Sequence, residues 1–209
     1  MPSTTQIISE VRTGYRYHVD PWYLERGRMI HAAVEFAAKG KLDLPRWESD
    51  LKAALSPEHV AEIIGKTKAA ILFLHENMDT ERCTQEVILH NPVFNYAGKA
   101  DVIGPTKQDK LATVDWKSSL DPYAMLQVGG YSLAQKRKPD VVAIVGLNAN
   151  GTYKTWWGTR TPKQDKAKFN LEHAERQFIA ALTFRSFLVE NNLLAAHMEH
   201  VEEVYNAAN

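Results

Sequence analysis

Two acids and a lysine stand on two consecutive predicted strands. Asp101 lies late in one strand, and Asp115 and Lys117 lie late in the next, within the stretch VDWKSS. Residues two apart in a strand project from the same face, so Asp115 and Lys117 should lie side by side. Such a pair is either a solvated ion pair, which contributes little stability, or part of a catalytic site.

A hairpin between these strands would bring Asp101 to the same end of the sheet as Asp115. Two adjacent carboxylates raise the pKa of one of them unless a cation neutralises the charge. Mg²⁺ or Mn²⁺ is suited to this task, because such ions bind carboxylate oxygens together with water and substrate phosphate. Lys117 beside the ion could orient or deprotonate the attacking water, or stabilise charge on the phosphate. Metal-assisted phosphodiester hydrolysis is the chemistry that such a set could perform, but Asp-x-Lys alone does not distinguish it from a solvated strand face.

Further motifs accompany these residues in a fixed order. GKAD at 98–101 is followed by DWK at 115–117 and by QVGGY at 127–131, and the upstream stretch RGRMIHAAVE supplies Gly27 and His31. This ordered set resembles the PD-(D/E)xK nuclease superfamily, and within it the RecB-like exonuclease branch. The resemblance covers roughly residues 24 to 160.

The resemblance implies a role for each matching residue. Asp101 and Asp115 would bind the metal together with His31 and the backbone carbonyl of Trp116, and Lys117 would be the catalytic lysine. It further implies that Gln127 and Tyr131 border the active site and position the DNA, and that Glu86 is an additional acid. Ala100 departs from the proline that often precedes the first acid in this family.

The elements that must position these residues are helices first and strands later. The patterns predict a helix at 22–39 and helical pieces over 44–77, broken at Ser56-Pro57 and at Gly65. Three strands near 86–90, 94–103 and 110–118 should form an antiparallel meander. A helix at 122–138, strands at 140–148 and 151–159, and one closing helix over 165–197 should follow. We therefore expect an α/β fold with a restriction-endonuclease-like core. The core should have a mixed sheet in βββαβ order, a helical N-terminal region and a long C-terminal helix.

Length and composition constrain the organisation. A chain of 209 residues suits one domain, with a helical part at 1–83, a catalytic core at 84–160 and a closing part at 161–209. Lysine and arginine together number 25, as do aspartate and glutamate, so any site for a polyanion must be a local patch. The single cysteine, Cys83, fits a reducing compartment. Without a signal-like start or a long apolar run, a cytoplasmic location and no membrane partner are expected.

The densest basic run, QKRKPD at 135–140, has two interpretations. It is either the solvated end of the preceding helix, where basic residues favour the helix dipole, or a contact for phosphate. Three basic residues are too few to identify a nucleic-acid surface by themselves. Both interpretations remain open on the sequence alone.

The sequence therefore predicts a Mg²⁺- or Mn²⁺-dependent deoxyribonuclease, most simply an exonuclease that acts on DNA ends or single strands. The small size suits phage or mobile-element DNA processing. The chain has no phosphate-binding GxxxxGK(S/T) sequence, so a helicase or recombination protein would be a separate partner. Two alternatives are a structure- or sequence-selective endonuclease on the same fold and a non-catalytic DNA-binding module.

Overall fold

The computed structural model describes residues 1–12, 21–161 and 167–200. Its helices are α1 (Thr4–Arg12), α2 (Pro21–Ala38), α3 (Leu44–Ala54), α4 (Pro57–Asn77), α5 (Tyr123–Ala134) and α6 (Leu171–Glu190). Its strands are β1 (Thr84–Asn91), β2 (Tyr96–Pro105), β3 (Leu111–Lys117), β4 (Val141–Leu147), β5 (Tyr153–Thr159) and β6 (Ala167–Asn170). The expected α/β class is confirmed.

The strands form one mixed sheet in the order β1-β2-β3-β4-β5-β6. β1, β2 and β3 are the expected antiparallel meander, and β4 lies parallel to β3 because α5 carries the chain back across the sheet. β5 is antiparallel to β4, and β6 is parallel to β5. β1 is therefore an edge strand, and β3, which carries Asp115 and Lys117, is central.

Helices cover both faces of the sheet, and β4 shows why. All seven of its residues are buried. Val141, Ala143 and Val145 pack with residues of α2, α3 and α4, whereas Val142 and Ile144 pack with residues of α5. A strand of continuous β-branched and small residues suits this position between two layers. The site residues of β3 are thus held in the middle of three packed layers.

Local signals explain where α3 and α4 begin. The side chain of Asp43 accepts a hydrogen bond from the backbone N–H of Arg46, and Ser56 accepts one from that of His59. Pro57 is the first residue of α4, where its missing N–H leaves no helical hydrogen bond unmade. The predicted break at Ser56-Pro57 is confirmed.

Three expectations about the elements need correction. α4 runs through Gly65 without a break. The glycine is there for close packing, since a Cβ at this position would lie 1.6 Å from the carbonyl oxygen of Ala149. The predicted closing helix is divided, since residues 167–170 form β6 and α6 ends at Glu190 before a turn and further helical residues. α5 ends at Ala134 rather than at 138. α1 lies within the helical part expected at 1–83, although no separate helix was assigned there. Residues 162–166, part of the predicted closing segment, and residues 201–209 lie outside the described residues.

The helices were also compared with the thickness of a lipid bilayer. Within the described ranges, none of them combines the length and the apolar character that crossing a bilayer requires.

Candidate active site and metal centre

A cavity of about 540 Å³ gathers most of the predicted site residues. Its walls come from the start of α1, from α2, from the β1–β2 hairpin, from the end of β3 and from α5. Among its lining residues are His31, Asp101, Asp115, Trp116, Lys117, Gln127 and Tyr131. Residues that the sequence separates by up to 100 positions are thus brought to one opening in the surface.

His31, Glu86 and Asp101 form a group with the chemistry of a metal site. One ligand atom from each of them lies within 4.8 Å of the other two, and of the described residues these three form such a group. His31 Nδ1 is 3.0 Å from Glu86 Oε1 and 3.2 Å from Asp101 Oδ1. Two carboxylates and an imidazole are suitable ligands for Mn²⁺, and the carboxylates for Mg²⁺. The donor set fits the predicted cation.

Glu86, which the sequence suggested only as an additional acid, belongs to this group. The residues flanking it pair with β2 as Gln85 with Val102 and Val87 with Ala100, which places Glu86 opposite Asp101. Its backbone has φ of 53°, a left-handed conformation that is strained for a residue other than glycine. Strain of this kind persists where the surroundings impose it, often at functional sites.

Asp101 is also tied to the strand that carries the second acid. Its Oδ2 accepts a hydrogen bond of 2.6 Å from the backbone N–H of Trp116. The N–H and C=O of one residue in a strand point to the same side, so the Trp116 carbonyl is directed towards β2. Its indole instead packs against Phe73 in the core. The carbonyl remains a predicted metal ligand.

Asp115 and Lys117 lie side by side, as the spacing predicts. Lys117 Nζ is 2.7 Å from Asp115 Oδ2, but Oδ2 makes no hydrogen bond of good geometry, so the contact is a charge contact. Asp115 is 2% exposed. Burial raises the pKa of Asp115, and the nearby charge of Asp101 raises it further. The positive charge of Lys117 lowers the pKa but does not cancel these effects. A cation near both carboxylates would offset the unfavourable free energy of their buried charges. A metal shared by Asp101 and Asp115 stays a prediction.

Gln127 and Tyr131 support Lys117. Lys117 Nζ donates to Gln127 Oε1 over 2.8 Å, and Gln127 Nε2 donates to the Tyr131 hydroxyl over 2.5 Å. That hydroxyl also shares a hydrogen bond with Thr4. Tyr131 is 2% exposed, so it acts on the cavity through Gln127 rather than as a broad DNA contact. The one-turn spacing predicted that the two side chains share a helix face, and the hydrogen bond between them confirms that prediction.

Two groups of residues at the cavity were not anticipated. Lys99 lines it and forms an ion pair with Glu86, and it lies two residues before Asp101 on β2. Ser3, Thr4 and Thr5 form another wall, because the N-terminal segment is held against the sheet by a bridge between Ser3 and Ala97. The GKAD motif contained Lys99, whereas nothing in the sequence linked residues 3–5 to the site.

Comparison with known protein families and with curated proteins gives no match to this chain. The functional assignment therefore rests on the residues of the cavity and their geometry.

The protonation of His31 gives the first testable prediction. Burial lowers its pKa, but the hydrogen bonds and charges of Asp101 and Glu86 overcome this effect and raise the pKa of His31 to about 9. The imidazole is thus protonated at pH 7 to 8, and it must lose its proton to bind a metal. We expect Mn²⁺ binding in this range to release about one proton per ion, and the affinity to increase with pH up to about 9.

Calorimetric Mn²⁺ titrations in two buffers of equal pH but different ionisation enthalpy measure the released proton. The His31→Ala variant should lose both the proton release and most of the affinity. His75→Ala, at an exposed histidine of α4, is the matched control and should behave as the unaltered chain. Equal proton release with and without His31 would remove the histidine from the metal site.

Proposed function

We propose that the chain is a metal-dependent nuclease that hydrolyses DNA phosphodiesters. The observation that carries this proposal is the gathering of His31, Asp101, Asp115 and Lys117 around one open cavity. A structural ion-pair network has no need of a cavity, and buried charges are destabilising unless they are paired or used. Their position in the wall of an open cavity supports a role in chemistry.

The divalent cation of this proposal, Mg²⁺ or Mn²⁺, would be held by His31, Glu86 and Asp101, together with Asp115 and the carbonyl of Trp116 from β3. When bound, it would supply neutralising charge for the phosphate and lower the pKa of water. Lys99 now pairs with Glu86 and is exposed beside the cavity. Its ammonium group is therefore available to a substrate phosphate at the same opening.

Lys117 acts in this mechanism as a positive charge. Burial lowers its pKa, but the charge and proximity of Asp115 more than compensate and raise it above the ordinary value. The lysine is therefore protonated at neutral pH and is a poor general base. Gln127 holds its ammonium group in place, where it stabilises the negative charge that develops on the phosphate during attack.

We propose further that the fold is a restriction-endonuclease-like core of the PD-(D/E)xK type, in its RecB-like branch. The antiparallel β1-β2-β3 meander, followed by α5 and the parallel strand β4, supports this proposal. So does the position of His31 on a helix that precedes the sheet. These features agree with the βββαβ order that the resemblance implies.

Within this activity we favour an exonuclease. The cavity is enclosed by the N-terminal residues 3–5, α2, the β1–β2 hairpin, the end of β3 and α5, so a strand must enter an opening with walls on several sides. An end can be threaded into such an opening more readily than the middle of a duplex. Action inside the cell on phage or mobile-element DNA, with a separate helicase or recombination protein, is consistent with the single cysteine and the small size.

A closed single-stranded DNA circle and the same strand in linear form test this preference. With Mg²⁺ or Mn²⁺, we expect the linear strand to be degraded to short products while the circle stays intact. Rapid cutting of the circle would instead assign a structure- or sequence-selective endonuclease. Failure to cut either form with both metals would support the non-catalytic DNA-binding alternative and end the nuclease proposal.

A further inference from the structure

A second cavity lies beside the catalytic one, at the edge of the sheet. It has a volume of about 630 Å³ and lies between the edge strand β1 and the chain that follows α5. We call it the edge groove and define it by Ile88, His90, Ile103, Leu111, Lys136 and Arg137. Nothing in the catalytic mechanism above uses it.

The edge groove and the catalytic cavity are neighbours that share the lining residue Ile88. This side chain lines both cavities and is 79% exposed, which is unusual for isoleucine. Across the hairpin it pairs with Lys99, which lines the catalytic cavity. A molecule that leaves the catalytic cavity over the sheet edge would therefore pass the ammonium group of Lys99 and the side chain of Ile88 before it enters the edge groove.

The walls of the edge groove differ in character. Ile103 and Leu111 are half-buried and offer apolar contact, whereas Lys136 and Arg137 are exposed at the rim. The basic residues at 136–138 thus occupy two different environments. Lys138 donates a hydrogen bond to the carbonyl of Ser132 near the end of α5, whereas Lys136 and Arg137 lie beside the groove.

Building on the proposed nuclease function, we propose that the edge groove binds the single-stranded DNA that extends from the catalytic cavity. Lys136 and Arg137 contact phosphates, and Ile88, Ile103 and Leu111 contact the faces of unpaired bases. In a chain with zero net charge, affinity for DNA must come from local cations such as these. Bases in a duplex are stacked on one another, so apolar walls select a single strand.

The test is the affinity of the whole chain for a fluorescent single-stranded oligonucleotide, measured by anisotropy with a metal chelator so that no cleavage occurs. The double variant Lys136→Glu, Arg137→Glu should bind about 10- to 100-fold more weakly. Loss of two phosphate contacts should also reduce the slope of log affinity against log salt by about 1.4. Hydrolysis of a small chromogenic phosphodiester, which cannot reach the groove, should be unchanged.

The matched control is Lys154→Glu, Lys168→Glu. These exposed lysines lie on β5 and β6, at the opposite side of the sheet, and their replacement changes the net charge by the same amount. It should change the affinity less than about threefold, as expected for distant screened charges. Equal losses in the two double variants, or no loss in the groove variant, would overturn the proposal.

Ile88→Ser tests the apolar contact separately. It should weaken binding of a natural strand several-fold, yet leave the binding of an abasic strand of equal length unchanged, because only bases meet the apolar wall. Equal effects on both strands would exclude base contact at the groove. All these binding measurements can succeed in a protein that does not cleave, whereas the small phosphodiester reports on hydrolysis alone, so the two proposals fail separately.

Discussion

Replacing Asp115 with asparagine should lower the rate of DNA cleavage by at least about a thousandfold, because it removes a charged group from the reacting centre. Asn has nearly the same shape, and the carboxylate it replaces is one whose buried charge is unfavourable, as its raised pKa indicates. The fold should therefore survive. Cleavage of end-labelled single-stranded DNA with Mg²⁺ and with Mn²⁺ measures the loss, and circular dichroism with thermal unfolding checks the fold.

Asp50→Asn is the matched control for Asp115. Asp50 is exposed on α3, and its replacement removes the same charge away from the cavity. It should retain full activity. Substantial cleavage by the folded Asp115→Asn variant would contradict both the metal site shared with Asp101 and the nuclease assignment.

Replacing Lys117 with alanine should also reduce turnover by at least about a thousandfold, through loss of a charge that stabilises the transition state. Mn²⁺ affinity should be largely retained, because an ammonium group cannot bind a cation. Calorimetry measures the affinity, and single-turnover cleavage measures the chemical step. A collapse of metal affinity in this variant would make the lysine a structural partner of Asp115.

A small amine distinguishes the two roles of Lys117 further. Added ethylammonium should restore part of the activity of Lys117→Ala if the missing charge is what matters, whereas a structural defect would not respond. Gln127→Ala keeps the charge but loses its hydrogen bond, and should therefore lose only about ten- to a thousandfold. The control variant Lys154→Ala, on β5, should cleave DNA as fast as the unaltered chain, and added ethylammonium should not change its rate.

Much of the fold follows from local patterns in the sequence. The helix expected at 22–39 is α2, and the three-strand meander has the expected antiparallel pairing. The misplaced elements are those that depend on tertiary contacts. Gly65 reads as a helix breaker, but the packing against Ala149 decides its role, and β6 has four residues whose strand conformation depends on pairing with β5.

The candidate site divides in the same way. The two-residue spacing of Asp115 and Lys117 correctly predicted that they lie side by side, and the one-turn spacing of Gln127 and Tyr131 correctly predicted a shared helix face. The contact between His31 and Glu86 joins residues 55 positions apart, and no local pattern could reveal it. The burial of Tyr131 was likewise hidden, because it depends on how α5 packs against the sheet.

The distance along the chain between the three proposed metal ligands links metal supply to protein stability. His31 lies on α2, whereas Glu86 and Asp101 lie on the β1–β2 hairpin, so an unfolded chain cannot hold the ion with all three. Binding to the native state alone shifts the unfolding equilibrium, by about 2.7 kcal/mol when the free ion is at 100 times its dissociation constant. The proposed ion would then link α2 to the sheet edge, and its removal would lower the stability of the folded chain in addition to abolishing the proposed cleavage.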